Sequence, residues 1–299
     1  MPLVASLAAA PSASDAAPPA PGAAGARRRV EGRAAGAFSF EMADIPSGMF
    51  TMRYLNSEEI REAQHRVELA QGYNLGVRGF KLGVVPVTQS LYEAVIGTNP
   101  SRFSGAQRPV ENVSWYDAVR FCNALSAAMG LSPAYRIVGL DDDADGGSEY
   151  SSVEWDRTSS GYRLPTTVEW EYAARAGTLH RYAGGDDAGA VAWTEENSGG
   201  TTHPVGEKRA NAWGLHDMSG NVSEWCWNKD DLEAPASGPD SSFPRLARGG
   251  SWASGLERRT PIADFELYCP DARNDCVGLR LAQTVPVLPG PDDHDNWPI

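Results

Sequence analysis

Cys269 and Cys276 stand seven residues apart near the C-terminal end of the sequence, and their thiols are the groups here best suited to redox or metal chemistry. Thiolates bind soft ions such as copper(I) and exchange with disulfides, but both uses need two sulfurs brought together. The remaining cysteines, Cys122 and Cys226, complete a set of four without C-x-x-C spacing, so neither a structural zinc site nor a disulfide framework is implied. The five histidines are scattered, with no H-x-x-x-H or H-E-x-x-H pairing. "DDDADG" (Asp141 to Gly146) puts Asp and Gly where a calcium loop of the EF-hand kind has them, but the closing bidentate Glu is replaced by Ser152. A solvated acidic loop is the better reading of that run. No catalytic residue is assigned from these patterns.

Any such groups must be held by a folded domain, and composition bounds where it lies. The chain has 299 residues, 41% hydrophobic and 22% charged, enough to bury a substantial core. Residues 1–37 are almost entirely Ala, Pro, Gly, Ser and Arg, and they read as a disordered Ala/Pro-rich segment because few large apolar side chains offset ordering entropy. The apolar run at Leu3 to Ala10 is short, Ala-rich and preceded by no basic residue, so it fits this segment better than a signal peptide. Residues 38–282 form the expected domain, and 283–299 read as a C-terminal tail in which Trp297 could dock. A net charge of −13 argues against nucleic acid and anionic membranes as partners, and no apolar run has the length of a membrane span. The compartment, for a protein of bacterial type, is left open between cytoplasm and export.

Within the domain, "FSFEMADIPSGMFTM" predicts two short strands joined at Pro46-Ser47-Gly48, followed by short alternating segments. Three helices are signalled by their ends. Thr88 opens one that stops at Gly97, Ser114 with Asp117 opens one that stops at Gly130, and Thr166 with Glu169 opens one that stops at Gly177. Cys122 falls on the apolar face of the second, with Ala118, Val119 and Leu125, and reads as a small buried residue. After Gly177 the sequence is rich in Gly, Asn, Asp and Trp, which predicts short strands joined by long ordered loops stabilised by buried indoles.

The ordered blocks "IPSGMFTM", "PVENVSWYDAVRFCNAL", "GYRLPTTVEWEYAARAG", "HPVGEKRANAWGL", "SGNVSEW", "RGGSW" and "VGLRLA" resemble the sulfatase-modifying-factor family, whose founding members are formylglycine-generating enzymes. The resemblance covers nearly all of 40–282. It implies an α+β, C-type-lectin-like fold: a small antiparallel sheet, two to three helices and long irregular loops. It also implies calcium at two loop sites. The better matched one would use carbonyls of Ser219, Gly220 and Val222 with the Glu224 carboxylate, a hard oxygen set suited to calcium, with a buried structural carboxylate as the other reading of Glu224. The poorer one maps to Asn197, Ser198, Gly206 and Lys208, with Gly206 where an acidic ligand is expected.

In the enzymes of this family, RGGS and an aromatic lead to a cysteine pair that binds copper(I). Those positions here are Ser254 and Arg259. A hydroxyl and a guanidinium cannot replace two thiolates, so copper is not expected. The stretch that follows, "PDARNDCVGLRLA", resembles the ending of variable proteins made by diversity-generating retroelements, which are ligand-binding proteins on this same fold. Their C-terminal segment is rewritten at adenines, chiefly in AAY codons, a process that never yields Lys, Gln, Glu, Met or Trp. Between 253 and 276 there is no Lys, Gln, Met or Trp, and the only glutamates are Glu257 and Glu266. An ordinary loop of a catalytically silent relative remains the other reading.

The sequence therefore predicts a protein that binds a protein or other surface ligand through Ala253, Ser254, Gly255, Arg258, Arg259, Asp264, Phe265, Tyr268, Cys269, Ala272, Arg273, Asn274, Asp275 and Cys276. Aromatic and arginine side chains there would supply anchors, and the small residues room. Trp252, beside this segment, is expected to be buried scaffold, and the alternative function is an oxidoreductase that uses another site or the thiols of Cys269 and Cys276.

Overall fold

Side-chain caps start the three longer helices where the sequence places them. Thr88 accepts a hydrogen bond from the Leu91 N–H and opens α1 (Gln89–Ile96), which ends at left-handed Gly97. Ser114 and Asp117 exchange reciprocal bonds of 3.1 and 2.9 Å at the start of α2 (Trp115–Ala128). Thr166 and Glu169 do the same for α3 (Thr167–Arg175), where Ala176 takes the left-handed cap with φ 45°, one residue before the predicted Gly177. A single turn, α4 (Ala188–Val191), follows. The structure is a computed structural model that describes residues 26–34, 37–52, 73–138, 152–227, 244–256 and 260–285. The DDDADG run, Arg258, Arg259 and Trp297 lie outside the described residues.

Thirteen short strands among the described residues complete the α+β fold. An antiparallel five-stranded sheet runs β1 (Arg27–Arg33), β2 (Ala37–Ile45), β5 (Phe80–Gly83), β13 (Ala282–Thr284), β8 (Tyr162–Arg163). A four-stranded sheet has the order β11 (Phe265–Tyr268), β10 (Arg245–Arg248), β9 (Ser223–Trp225), β12 (Val277–Gly278), with β12 parallel to β9. Two ribbons pair β3 (Gly48–Met52) with β4 (Tyr73–Val77), and β6 (Tyr135–Val138) with β7 (Ser152–Trp155). β2 and β3 do follow one another across Pro46-Ser47, but each pairs elsewhere.

Two boundaries differ from the sequence reading. β1 lies inside the segment expected to be disordered, because Arg27–Arg33 pairs along its whole length with β2, from Arg27 opposite Ala43 to Arg33 opposite Ala37. Backbone pairing at a sheet edge needs few apolar side chains; only Val30 packs on the core. At the other end Gln283 and Thr284, assigned to the tail, continue β13.

Three fully buried tryptophans tie the helices to β9 through their indole N–H groups. Trp115 of α2 donates to the Cys226 carbonyl at 2.9 Å, Trp225 of β9 donates to the Val113 carbonyl at 2.9 Å, and Trp170 of α3 donates to Glu224 at 2.6 Å. A buried indole without a partner would carry a desolvation cost, so these bonds fix register as well as stability. Cys122 is fully buried, as its helical position predicts. No helix among the described residues is long and apolar enough to cross a membrane.

Candidate functional site

Arg248 ends β10 and begins the stretch that leads through β11 to Cys276. Arg248 donates to Glu171 of α3 at 2.6 Å and to the carbonyls of Asp264 and Ile262. Gly249 has φ 97°, and a Cβ there would sit 3.0 Å from the Trp170 ring and 3.2 Å from a carbonyl, so both conformation and space require glycine. Ser251 then turns the chain: its N–H donates to the Ser254 hydroxyl at 2.9 Å, and the two hydroxyls meet at 3.2 Å.

This turn corrects part of the expected recognition surface. Ser254 is 2% exposed and Asp264 8%, so both belong to the scaffold. Trp252, expected in the core, is half-buried, because its indole N–H reaches out to the Asp275 carbonyl at 2.9 Å and its ring meets Phe103 edge-on. Ala253, Cys269 and Arg273 are exposed, together with Asp271 and Leu267, while Gly255, Phe265, Tyr268, Ala272, Asn274, Asp275 and Cys276 are half-buried. Leu267 and Asp271 were not singled out in the sequence.

The run from Cys269 to Cys276 joins β11 to β12, two strands that point the same way at opposite edges of the sheet, so it must cross back over the sheet. Four of its backbone carbonyls hold it in place. Pro270 accepts from the Trp115 N–H at 2.9 Å, Asn274 from the Asn112 N–H at 2.9 Å, Asp275 from the Trp252 indole, and Cys276 from the Ser223 N–H at 2.8 Å. Two arginines add side-chain ties: Arg273 forks onto Asp117 of α2, and Arg102 pairs with Asp275. Sequence reasoning missed Arg102, Phe103 and Asp117 as supports of this segment; Arg102 lies 173 residues from its partner, and no local pattern announces such a contact.

The thiols do not form a pair. Cys269 follows one edge strand and Cys276 precedes the other, three strand spacings away, about 14 Å. Burial also pushes the Cys276 thiol up to about 11, so little of it is thiolate at neutral pH.

Several of the oxygens matched to calcium sites already have protein partners. The Glu224 carboxylate is fully buried and accepts from the Arg280 guanidinium at 2.7 to 3.0 Å and from the Trp170 indole. At the other site the Asn197 side-chain oxygen accepts the Thr194 N–H at 2.8 Å, and the carbonyls of Ser198 and Lys208 meet ring nitrogens of His203 and His216 at 2.7 and 2.8 Å. Lys208 also brings an ammonium, which bonds the Gly189 carbonyl and lies 3.8 Å from the centre of the Trp193 ring. The Glu224 carboxylate and the Asn197, Ser198 and Lys208 oxygens are thus already engaged by protein donors, with the Arg280 and Lys208 cations among them, so these four offer calcium little in this arrangement. Of the two readings of Glu224, a structural carboxylate matches its contacts.

Comparison with known proteins places this geometry in context. Residues 33–285 match the family described as the sulfatase-modifying factor enzyme 1-like domain. The chaperone protein LppX of Paenibacillus barcinonensis is 38% identical over 207 residues, which cover 61% of this chain and 72% of that protein. The formylglycine-generating enzyme of Streptomyces coelicolor is 33% identical over 155 residues, 44% of this chain and about half (49%) of that enzyme. Among solved structures, Treponema denticola variable protein 1 superposes with a TM-score of 0.70 at 31% identity, covering 85% of this chain and 98% of that one.

Proposed function

The chain belongs to the sulfatase-modifying-factor family, and from that premise we propose that it is a non-catalytic binding protein whose ligand meets the crossover segment Cys269 to Cys276 and the neighbouring β11 edge. One observation carries the reading. The segment is anchored through four backbone carbonyls, which every residue type possesses, while Cys269, Asp271 and Arg273 face outward. A loop held by its main chain can change its exposed side chains without losing its path, and rigid scaffolds of this kind present recognition surfaces.

The likeness to a variable protein supports a finer version, in which this segment is diversified at the gene level. A relative named a chaperone protein is compatible with a protein as the ligand. The catalytic alternative has less to stand on. Ser254, at a copper-binding cysteine position of the family's enzymes, is buried and committed to the turn at Ser251, and Cys269 and Cys276 lie at opposite edges of a sheet.

Phage display of random dodecapeptides on the intact protein tests the reading. Peptides recovered on the wild type should lose binding by at least about tenfold when Leu267, Asp271 and Ala272 are replaced together, since interface anchors cost that much or more. Recovery of peptides indifferent to these residues would contradict it.

A further inference from the structure

Arg245 begins β10 opposite Tyr268 of β11, immediately beside the start of the crossover segment. Its guanidinium lies over Trp115, 4.2 Å from the ring centre, and 6.0 Å from that of Trp227. These rings belong to a larger aromatic assembly in which Trp227 also stacks on Tyr135 at 4.9 Å and meets Trp155 edge-on at 5.5 Å. One Nη donates to the Trp227 carbonyl at 3.3 Å, and the buried Nε–H has no acceptor. Among the described residues no carboxylate pairs with this arginine, and the groups that act on its charge are the Tyr116 and Tyr135 hydroxyls. Burial accordingly lowers its pKa from the ordinary arginine value.

A half-buried cation with no counter-charge among the described residues is costly, and cation–π contact offsets only part of that cost. The contrast with its neighbours is instructive. Arg248, three residues on, meets Glu171, and Arg280 meets Glu224. Arg245 instead lies over an indole with its Nε–H enclosed and one Nη bonded to the Trp227 carbonyl, so recognition falls to the remaining Nη donors.

We propose that Arg245, framed by Trp115, Tyr116 and Trp227, is the anchor for a carboxylate of the ligand, an acidic side chain of a bound protein. A planar guanidinium stacked on an aromatic ring presents two parallel N–H donors, and a carboxylate matches that fork. This rests on the reading of the crossover segment as a binding surface and extends that surface to a residue outside the segment.

The test uses dodecapeptides selected by phage display on the intact wild-type protein, followed by titration of the synthetic peptides into Arg245→Met and Arg245→Lys. The selected peptides should be enriched in Asp or Glu. Substitution of that acid by its amide, or Arg245→Met, should weaken binding at least about tenfold, with Arg245→Lys intermediate because it keeps charge without the fork. Arg245→Met should melt at or above the wild-type temperature, since an apolar side chain replaces an unpaired buried charge. A drop of several degrees in Arg245→Met would mark a structural arginine and overturn the proposal. So would selected peptides that depend on the crossover segment but carry no acid, or that bind Arg245→Met unchanged; the binding surface would then stand without its anchor. If no peptide depends on the crossover segment, the surface itself fails and the anchor with it.

Discussion

Arg273 grips Asp117 with two parallel bonds of 2.8 Å, although the two residues are 156 positions apart. Asp117 also closes the capping box at the start of α2, so a single carboxylate both begins the helix and tethers the crossover segment to it. The two roles differ in weight. Asp117→Ala, which breaks the capping box with Ser114 as well as the tether, should cost about 1–2 kcal/mol, whereas Arg273→Ala, which cuts only an exposed ion pair, should cost about 0–1 kcal/mol. Urea denaturation checks the ranking. Hydrogen exchange should show that Arg273→Ala loosens 269–276 while α2 stays protected.

These positions also show what the sequence could and could not disclose. Caps were legible because Thr88, Ser114 and Thr166 act on N–H groups only three residues away. The family blocks disclosed the fold class. The strand β1 was not legible, since Arg-rich composition hides a pairing supplied by β2. Nor was the burial of Ser254 and Asp264, because a turn that folds a polar residue inward has no hydrophobic signature. The supports of the crossover segment were hidden for a third reason: they are contacts between distant residues.

Chelation should leave the melting temperature unchanged. The Glu224 carboxylate faces Arg280, and the Asn197, Ser198 and Lys208 oxygens matched to calcium face amide or imidazole nitrogens, so these groups have partners without an added cation. Thermal melts in EDTA and in millimolar calcium should coincide. A fall in EDTA reversed by calcium would show that a folded-state site binds the ion and that these contacts rearrange around it.

Glu111 should make the protein more stable in mild acid than its other carboxylates would suggest. It is fully buried, one oxygen accepts the Phe103 N–H at 2.8 Å, and the other has no partner. Burial raises its pKa above the ordinary value of 4.5. For an acid shifted upward, the folded state binds the proton more tightly, so the group's contribution improves as pH falls through the folded pKa and levels off below 4.5. Glu111→Gln should therefore flatten this part of the pH profile and leave stability at pH 7 unchanged or higher by up to about 1 kcal/mol. Urea midpoints of the two proteins from pH 7 to pH 4 compare the slopes; a steeper loss of stability in the variant at neutral pH would show that the carboxylate is needed ionised.

Diversification, if it operates, leaves a trace outside the protein. The DNA flanking the gene should contain a reverse-transcriptase gene and a near-copy of the coding sequence for 253–276, differing chiefly at adenines. Sequencing the locus decides it. A locus without either would leave binding intact and remove diversification from the account.

The central claim is that the crossover segment is a surface held by its backbone, and a melting curve tests it most directly. Leu267→Ser, Cys269→Ser, Asp271→Asn and Ala272→Ser, made together, alter side chains that are exposed or half-buried and leave all four anchoring carbonyls in place. The account predicts a cooperative transition shifted by less than about 8 °C, because exposed substitutions each cost within about 0.5 kcal/mol. Trp225→Ala, measured alongside, should lose about 3–5 kcal/mol. A fourfold variant that melts as badly as Trp225→Ala would contradict the account, since the side chains of the segment would then be part of the core that holds it.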